Sequence, residues 1–169
     1  MKKILAATAS AILAVTAVPG LAKQDKNPPI LVDANSASAQ WASAASQDLD
    51  RELQRMAVPM RRDFPNALVQ IRFEVENGEP VNVRVHRQSG DRWLDRAAMR
   101  SVERMGNLDP MPVSYNGSRT VQANIITARD TRSFEALNDE LLTIEEARLA
   151  STGPDRTVIA LNAGSKPAG

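Results

Sequence analysis

The chain has 169 residues, no cysteine and a single histidine, His86. It therefore has no disulfide, thiolate metal site or cysteine nucleophile, and one imidazole cannot form a histidine-rich metal centre. Its 21 basic and 20 acidic residues give a formal net charge of +1, which argues against nucleic acid as a partner. This length predicts one modest domain with extensions.

The first 22 residues have the pattern of an export signal. Lys2 and Lys3 precede an uncharged run over residues 4–18, and small residues ending at Ala22 suit cleavage. A helix over that run spans about 22 Å, less than the roughly 30 Å hydrocarbon layer of a bilayer. We predict a cleaved signal peptide over residues 1–22 and a periplasmic mature chain from Lys23. The alternative is an uncleaved inner-membrane anchor, the one case in which we expect membrane association.

A polar stretch and a helix follow the signal. Residues 23–38 contain two adjacent prolines and a cluster of small polar residues, which predicts a flexible leader. Apolar residues then recur at helical spacing, which predicts an amphipathic helix over residues 39–57. Its apolar positions are Trp41, Ala45, Leu49, Leu53 and Met56. A stripe of this kind packs in a core more often than against a partner.

The centre of the chain predicts a β-hairpin around Asn77-Gly78. Apolar and polar residues alternate on both sides of that turn, which indicates one buried and one polar face. The apolar positions are Val69, Ile71, Phe73, Val75, Val81, Val83 and Val85. His86 falls on the polar face, where a proton sensor is one hypothesis. We interpret it as an ordinary exposed histidine, because no second ligand or base lies nearby in the sequence.

A second helix and a third strand complete this pattern. Asp91 is a candidate N-cap for a helix that Gly106 ends, and residues 120–127 alternate as a strand. The helix face is formed by Leu94, Ala97, Ala98, Ser101, Val102 and Met105. The order β-β-α-β predicts an α+β fold with a small three-stranded antiparallel sheet packed with helices. The first strand is expected to lie between the other two.

Four arginines repeat every four residues along the second helix and form a cationic ridge. They are Arg92, Arg96, Arg100 and Arg104. We interpret the ridge as a solvated face that Asp95 and Glu103 partly neutralise. The alternative is that the ridge binds an anionic partner, either phosphate, anionic lipid headgroups or an acidic protein. Trp93 beside the ridge has two interpretations, core packing, which we favour, or a partner hot spot.

We predict no catalytic residue, metal ligand or cofactor, and no enzyme activity. Ser89 beside Gly90 lacks the sequence context of a nucleophile elbow, so we assign it to a turn. Asp139-Glu140 and Glu145-Glu146 are adjacent carboxylates on a predicted helix and point in different directions, which indicates a solvated face. No acid–base pair or nucleophile–base pair converges.

The tail predicts a helical extension over residues 129–169 that ends in a mobile segment. Residues 133–150 have an amphipathic helical pattern, and residues 157–161 are a candidate short strand. The apolar positions of this helix are Phe134, Leu137, Leu141, Ile144 and Leu149. The helix either packs on the sheet or stays free as a docking element.

Residues 58–128 resemble the C-terminal domain of TonB. The motifs that carry the resemblance are Phe64-Pro65, the strand alternation, Asn77-Gly78, Gln88-Ser89-Gly90, Leu94-Asp95-Arg96-Ala97-Ala98 and Pro110-Met111-Pro112. The resemblance implies a periplasmic module whose sheet edge pairs with an extended peptide of an outer-membrane receptor, in transmembrane transport. The predicted leader reaches at most about 55 Å, which is short for a tether that bridges two membranes. We therefore favour protein binding in the envelope over energy transduction. The alternative is a TolA-like structural envelope protein without transporter coupling.

The resemblance places partner binding, by β-strand addition, at the third strand. The predicted residues are Val121, Gln122, Ala123, Asn124, Ile125 and Ile126. This segment is uncharged, whereas the second strand carries Arg84, His86 and Arg87, charges that guard an edge. The same edge is covered instead if the 157–161 segment pairs with it. A homodimer through sheet edges is a further alternative.

Overall fold

The computed structural model describes residues 34–56, 65–112 and 119–164. The predicted signal peptide and most of the predicted leader lie outside these residues. The elements are α1 (Ala34–Gln54), β1 (Ala67–Glu76), β2 (Glu79–Arg87), α2 (Arg92–Glu103), β3 (Thr120–Thr127), α3 (Thr131–Ala150), a 3₁₀ turn (Pro154–Thr157) and β4 (Ile159–Ala163). Because α1 begins at Ala34, the last five residues of the predicted leader are helical.

The sheet has four strands in the order β2-β1-β3-β4. β1 is antiparallel to both β2 and β3, and β4 is parallel to β3. The α+β class is therefore confirmed, whereas the predicted three-stranded antiparallel sheet is wrong in its strand number and in being purely antiparallel. The physical reason is α3, which carries the chain back across the sheet, so that the next strand runs parallel to β3.

One face of the sheet packs on α1 and α2 and forms the main apolar core. Phe73, Val102 and Ile125, which come from β1, α2 and β3, are fully buried in it. Val83 packs on the same core but stays partly exposed, because β2 is at the edge of the sheet. The predicted stripe of α1 also faces this core, with Leu49 buried at its centre.

The turns and caps follow from local residue chemistry. Asn77 and Gly78 have φ angles of 52° and 78°, the left-handed conformation that a tight hairpin turn requires. The Asp91 carboxylate accepts hydrogen bonds from the backbone N–H groups of Trp93 (2.9 Å) and Leu94 (3.1 Å), which confirms it as the N-cap of α2. Ser89 Oγ donates to Asp95 Oδ1 at 2.6 Å, in keeping with a turn role.

α3 packs on the opposite face of the sheet. Its apolar side chains form a small second cluster with Leu68 of β1 and Ile126 of β3. The α3 members of this cluster are Phe134, Leu137, Leu141 and Ile144. Of the two alternatives for this helix, packing on the sheet is the one observed. Leu149, the fifth apolar position of the predicted pattern, is 54% exposed.

In the part of the chain that the structure describes, no helix is both long and apolar enough to cross a bilayer.

The core assignment predicts that Phe73→Ala destabilises the fold by about 3–5 kcal/mol, because a fully buried aromatic ring is lost and leaves a cavity. Urea denaturation followed by circular dichroism measures this loss. Glu76→Ala, at the exposed end of the same strand, is the control and is expected to change stability by less than about 0.5 kcal/mol. Equal losses in the two variants would contradict the assignment.

Candidate functional site

β3, the predicted partner-binding strand, lies inside the sheet with a neighbour on each side. β4 pairs with it in parallel over five residues, from Val121 opposite Ile159 to Ile125 opposite Ala163. The prediction that β3 is an open edge is therefore wrong, and the alternative in which a tail segment covers it is observed, two residues later than predicted. All six predicted binding residues are buried, because β1, β4 and the helices enclose them. These residues are Val121, Gln122, Ala123, Asn124, Ile125 and Ile126.

β4 covers this edge through alternating side chains. Ile159, Leu161 and Ala163 are buried in the main core beneath α1. Between them, the exposed Asn162 accepts a hydrogen bond from Asn124 Nδ2 through its Oδ1 (2.9 Å). The edge of β3 therefore receives an extended segment with apolar residues at every second position.

The end of β4 is fixed to its surroundings at Gly164. Its backbone N–H donates to Asp50 Oδ1 of α1 at 3.1 Å. Gly164 has a φ of 150°, and a Cβ at this position would lie 2.8 Å from the carbonyl oxygen of Ile126. A residue with a side chain at position 164 would therefore disturb the contact between β4 and β3. Partial burial raises the pKa of Asp50, and the hydrogen bond from Gly164 opposes that rise.

Beside this edge, on the face that α3 covers, four side chains of β1 and β3 form a buried polar layer. The layer consists of Gln70, Arg72, Gln122 and Asn124. Gln70 Nε2 and Gln122 Nε2 donate to Asn124 Oδ1 at 2.9 and 3.0 Å, and Arg72 Nε donates to Gln122 Oε1 at 3.0 Å. Gln70 stands opposite Asn124 and Arg72 opposite Gln122 in the sheet register. The polar layer therefore joins strand partners.

α3 completes the polar layer with a carboxylate and a guanidinium. Glu145 Oε1 accepts from Gln122 Nε2 at 2.9 Å, and its Oε2 accepts from Arg148 at 2.7 and 2.9 Å. Arg148 also donates to the backbone carbonyls of Asp155 (2.7 Å) and Val158 (3.0 Å), just before β4. The prediction that Glu145 belongs to a solvated face is wrong, because the helix turns it towards the sheet. Glu146 beside it is exposed, as predicted.

The outer end of the polar layer is an ion pair between Arg72 and Asp155 of the 3₁₀ turn, at 2.6 Å. The hydrogen bond from Arg72 holds the pKa of Asp155 below its ordinary value. Stability from this pair is therefore present above the pKa of an unfolded aspartate and is lost as the pH falls through the lowered pKa. Asp155 is half exposed, so the contribution is small.

Both carboxylates at this layer are paired with arginines. Glu145 forms an ion pair with Arg148, and Asp155 forms one with Arg72. Within residues 34–56, 65–112 and 119–164, no three His, Cys, Asp or Glu side chains could jointly hold a metal ion. Partial burial lowers the pKa of His86, and the positive charges of Arg72 and Arg84 lower it further. His86 is exposed on β2, as predicted.

β2 is the other outer strand of the sheet, and among the described residues it pairs with β1 alone. Arg84 and His86 are exposed there, and Arg87 forms an ion pair with Glu140 of α3. The register between β1 and β2 is interrupted twice, which indicates an irregular strand. The charged side chains and the irregularity are devices that discourage pairing of an edge with another chain.

The arginine ridge of α2 divides into two halves. Arg92 and Arg96 are exposed, with Arg96 Nε donating to the carbonyl oxygen of Arg92 at 3.1 Å. Arg100 and Arg104 are also exposed, and they line a cavity together with Arg55, the residue that follows α1. The sequence pattern missed Arg55, because only tertiary packing brings α1 against α2. Trp93 lines the same cavity and is partly buried.

No family model matches this chain, and neither a curated protein nor a solved structure does. The similarity of residues 58–128 to the C-terminal domain of TonB therefore rests on the sequence motifs alone, and the function that it implies stays a prediction. Phe64, the first residue of those motifs, lies outside the described residues.

The polar layer predicts that Glu145→Ala destabilises the protein by about 3 kcal/mol. This substitution removes the carboxylate partner of the buried Arg148 guanidinium and one of the two acceptors of the Gln122 amide. Glu146→Ala is the matched control, because it removes the same side chain from an exposed position on the same helix. Thermal and urea unfolding measure both variants. A loss below about 0.5 kcal/mol for Glu145→Ala would show that the layer contributes little.

Proposed function

We propose that this chain is a periplasmic protein-binding module of the cell envelope, which binds an extended partner peptide by β-strand addition next to β3. The observation that carries the proposal is β4 itself. It is a five-residue extended segment at the rim of the sheet, and it pairs in parallel with β3. Periplasmic location rests on the predicted export signal over residues 1–22.

In this proposal the partner peptide takes the place of β4. Main-chain hydrogen bonds to β3 supply affinity that is independent of sequence, and side-chain pockets supply specificity. The pockets now occupied by Ile159 and Leu161 require apolar residues at alternate positions of the peptide. The site of Asn162 favours a polar residue that accepts from Asn124. The expected ligand is therefore a short extended peptide with alternating apolar and polar residues.

Competition with β4 sets the affinity of this exchange. Burying a leucine or isoleucine side chain stabilises by about 1.5–3 kcal/mol, so a peptide without apolar residues at these positions cannot displace the strand. Short length favours exchange, because β4 contributes only five residues and follows the exposed turn Pro154–Thr157. β4 therefore stays paired with β3 in the presence of peptides that bind β3 weakly.

The resemblance to the TonB C-terminal domain suggests peptides of outer-membrane receptors as partners, and thus a link to transport. The alternative is a TolA-like structural envelope protein. The observation that favours the alternative is the burial of Ile159, Leu161 and Ala163 in the main core under α1, as expected of a permanent strand.

The exchange predicts that a synthetic peptide with the sequence of residues 157–164 binds the Leu161→Ala variant at least about tenfold more tightly than the wild-type chain. Removing the buried Leu161 side chain loosens the internal strand by about 2–5 kcal/mol, while the β3 edge is unchanged. Leu149→Ala is the matched control, because that leucine is 54% exposed on α3. Fluorescence anisotropy with labelled peptide measures the affinities.

Amide hydrogen exchange shows where the peptide binds. Slower exchange over Val121–Ile125 of Leu161→Ala when peptide is added supports the proposal. Slower exchange on β2 instead, or equal affinity for Leu161→Ala and Leu149→Ala, contradicts it.

A photo-crosslinker at the exposed Asn162 separates the two envelope roles in cells. Cross-links to outer-membrane receptors support the transport link, and cross-links confined to structural envelope proteins support the alternative.

A further inference from the structure

Where the end of α1 meets α2, three arginines line one cavity of about 280 Å³ that is open to solvent. Its wall is formed by Arg55, Met56, Trp93, Ala97, Arg100 and Arg104. No acidic side chain of the described residues lines it. The cavity lies on the α1–α2 side of the sheet, among residues that take no part in strand exchange at β3.

A buried carboxylate positions two of the three arginines. Glu52 is 5% exposed, and it accepts from Arg55 and, at 3.0 Å, from Arg104 Nε. Arg104 is also held at its second nitrogen by Ser101 Oγ at 3.2 Å. Because a guanidinium has five N–H donors, both arginines keep donors that these bonds do not use. Glu52 therefore orients both exposed groups before any ligand arrives.

Arg100 has no such partner. It is exposed, and its side chain forms neither a hydrogen bond nor an ion pair with any described residue. Three guanidiniums and the single carboxylate of Glu52 leave a local charge of +2 (three positive minus one negative). A cavity with this excess is complementary to a doubly charged anion.

We propose that this cavity binds a phosphate monoester whose organic part is small and apolar. A phosphate monoester carries −1.5 to −2 charges near pH 7, which matches the local excess. Planar guanidinium groups donate paired hydrogen bonds to phosphate oxygens. Trp93, Met56 and Ala97 supply an apolar wall for the organic part. The volume is just below the usual range for drug-sized ligands, so the ligand is small or only its head enters.

Titration of the full chain with phenyl phosphate, followed by isothermal calorimetry, tests this site. We expect saturable binding to one site, about tenfold weaker in Arg100→Gln, because one charge-assisted contact is lost. Arg96→Gln is the matched control, since Arg96 lies one turn earlier on α2, is exposed, and does not line the cavity. It should bind within about twofold of the wild type.

Three results would overturn the proposal. They are the absence of saturable heat, an equal loss in Arg96→Gln and Arg100→Gln, and equally tight binding of the monoanion phenyl sulfate. Circular dichroism of each variant confirms that the fold persists. Since the Arg100 side chain is exposed and makes no hydrogen bond or ion pair with a described residue, its replacement separates binding from stability. The outcome is independent of the peptide experiments at β3.

Vesicles identify the source of the phosphate. Phosphatidylcholine vesicles that contain phosphatidic acid present a phosphate monoester, and those that contain phosphatidylglycerol present a singly charged diester. Binding to the first kind only, lost in Arg100→Gln, assigns a lipid headgroup. Binding of phenyl phosphate without vesicle binding assigns a free phosphate ester. Equal binding of both vesicles by wild type and Arg100→Gln indicates nonspecific attraction and contradicts the site.

Discussion

β4 pairs with β3 in parallel, and this pairing constrains the second half of the molecule. Two consecutive strands can be parallel only if the chain between them returns along the sheet, which needs a dozen or more residues and usually a helix. Here α3 and the 3₁₀ turn make that return. The need for a connection such as α3 that runs back along the sheet follows from the direction of this one strand.

The two faces of the sheet are stabilised in different ways. The face under α1 and α2 is apolar and includes the fully buried Phe73, and its stability comes from apolar burial. The face under α3 combines a small apolar cluster with the polar layer, whose members bond to one another across strands. Buried polar groups contribute little net stability, but they are costly when mismatched. Because Arg72 and Gln122 are register partners, a slipped β1–β3 pairing would break several of these bonds at once.

Local patterns predicted most of the elements. The hairpin, α2 with its Asp91 cap, β3 and the amphipathic α3 followed from alternation, helical spacing and turn residues. The candidate strand in the tail was also predicted, two residues early. These patterns did not predict which strand the tail strand pairs with, because a short apolar alternation does not specify whether the strand pairs with β3 or remains free.

The burial of the Glu145 side chain against the sheet was missed for a related reason. In the sequence, a carboxylate on an amphipathic helix resembles its exposed neighbours until the sheet beneath it is known. The sequence did contain one signal of the polar layer. The polar positions that alternate with the apolar ones in β1 and β3 lie opposite one another in the register, and they are Gln70, Arg72, Gln122 and Asn124.

The most direct test of the β3–β4 pairing is nuclear magnetic resonance of the full chain in solution. Parallel pairing predicts cross-strand nuclear Overhauser effects between backbone protons of Ala123 and Leu161 and between those of Asn124 and Asn162, whose positions are opposite in the register. It also predicts slow amide exchange throughout Val121–Ile125, because hydrogen bonds leave β3 on both sides. Absence of these contacts, with every second amide of β3 exchanging as fast as an open edge, would contradict the pairing and the strand exchange built on it.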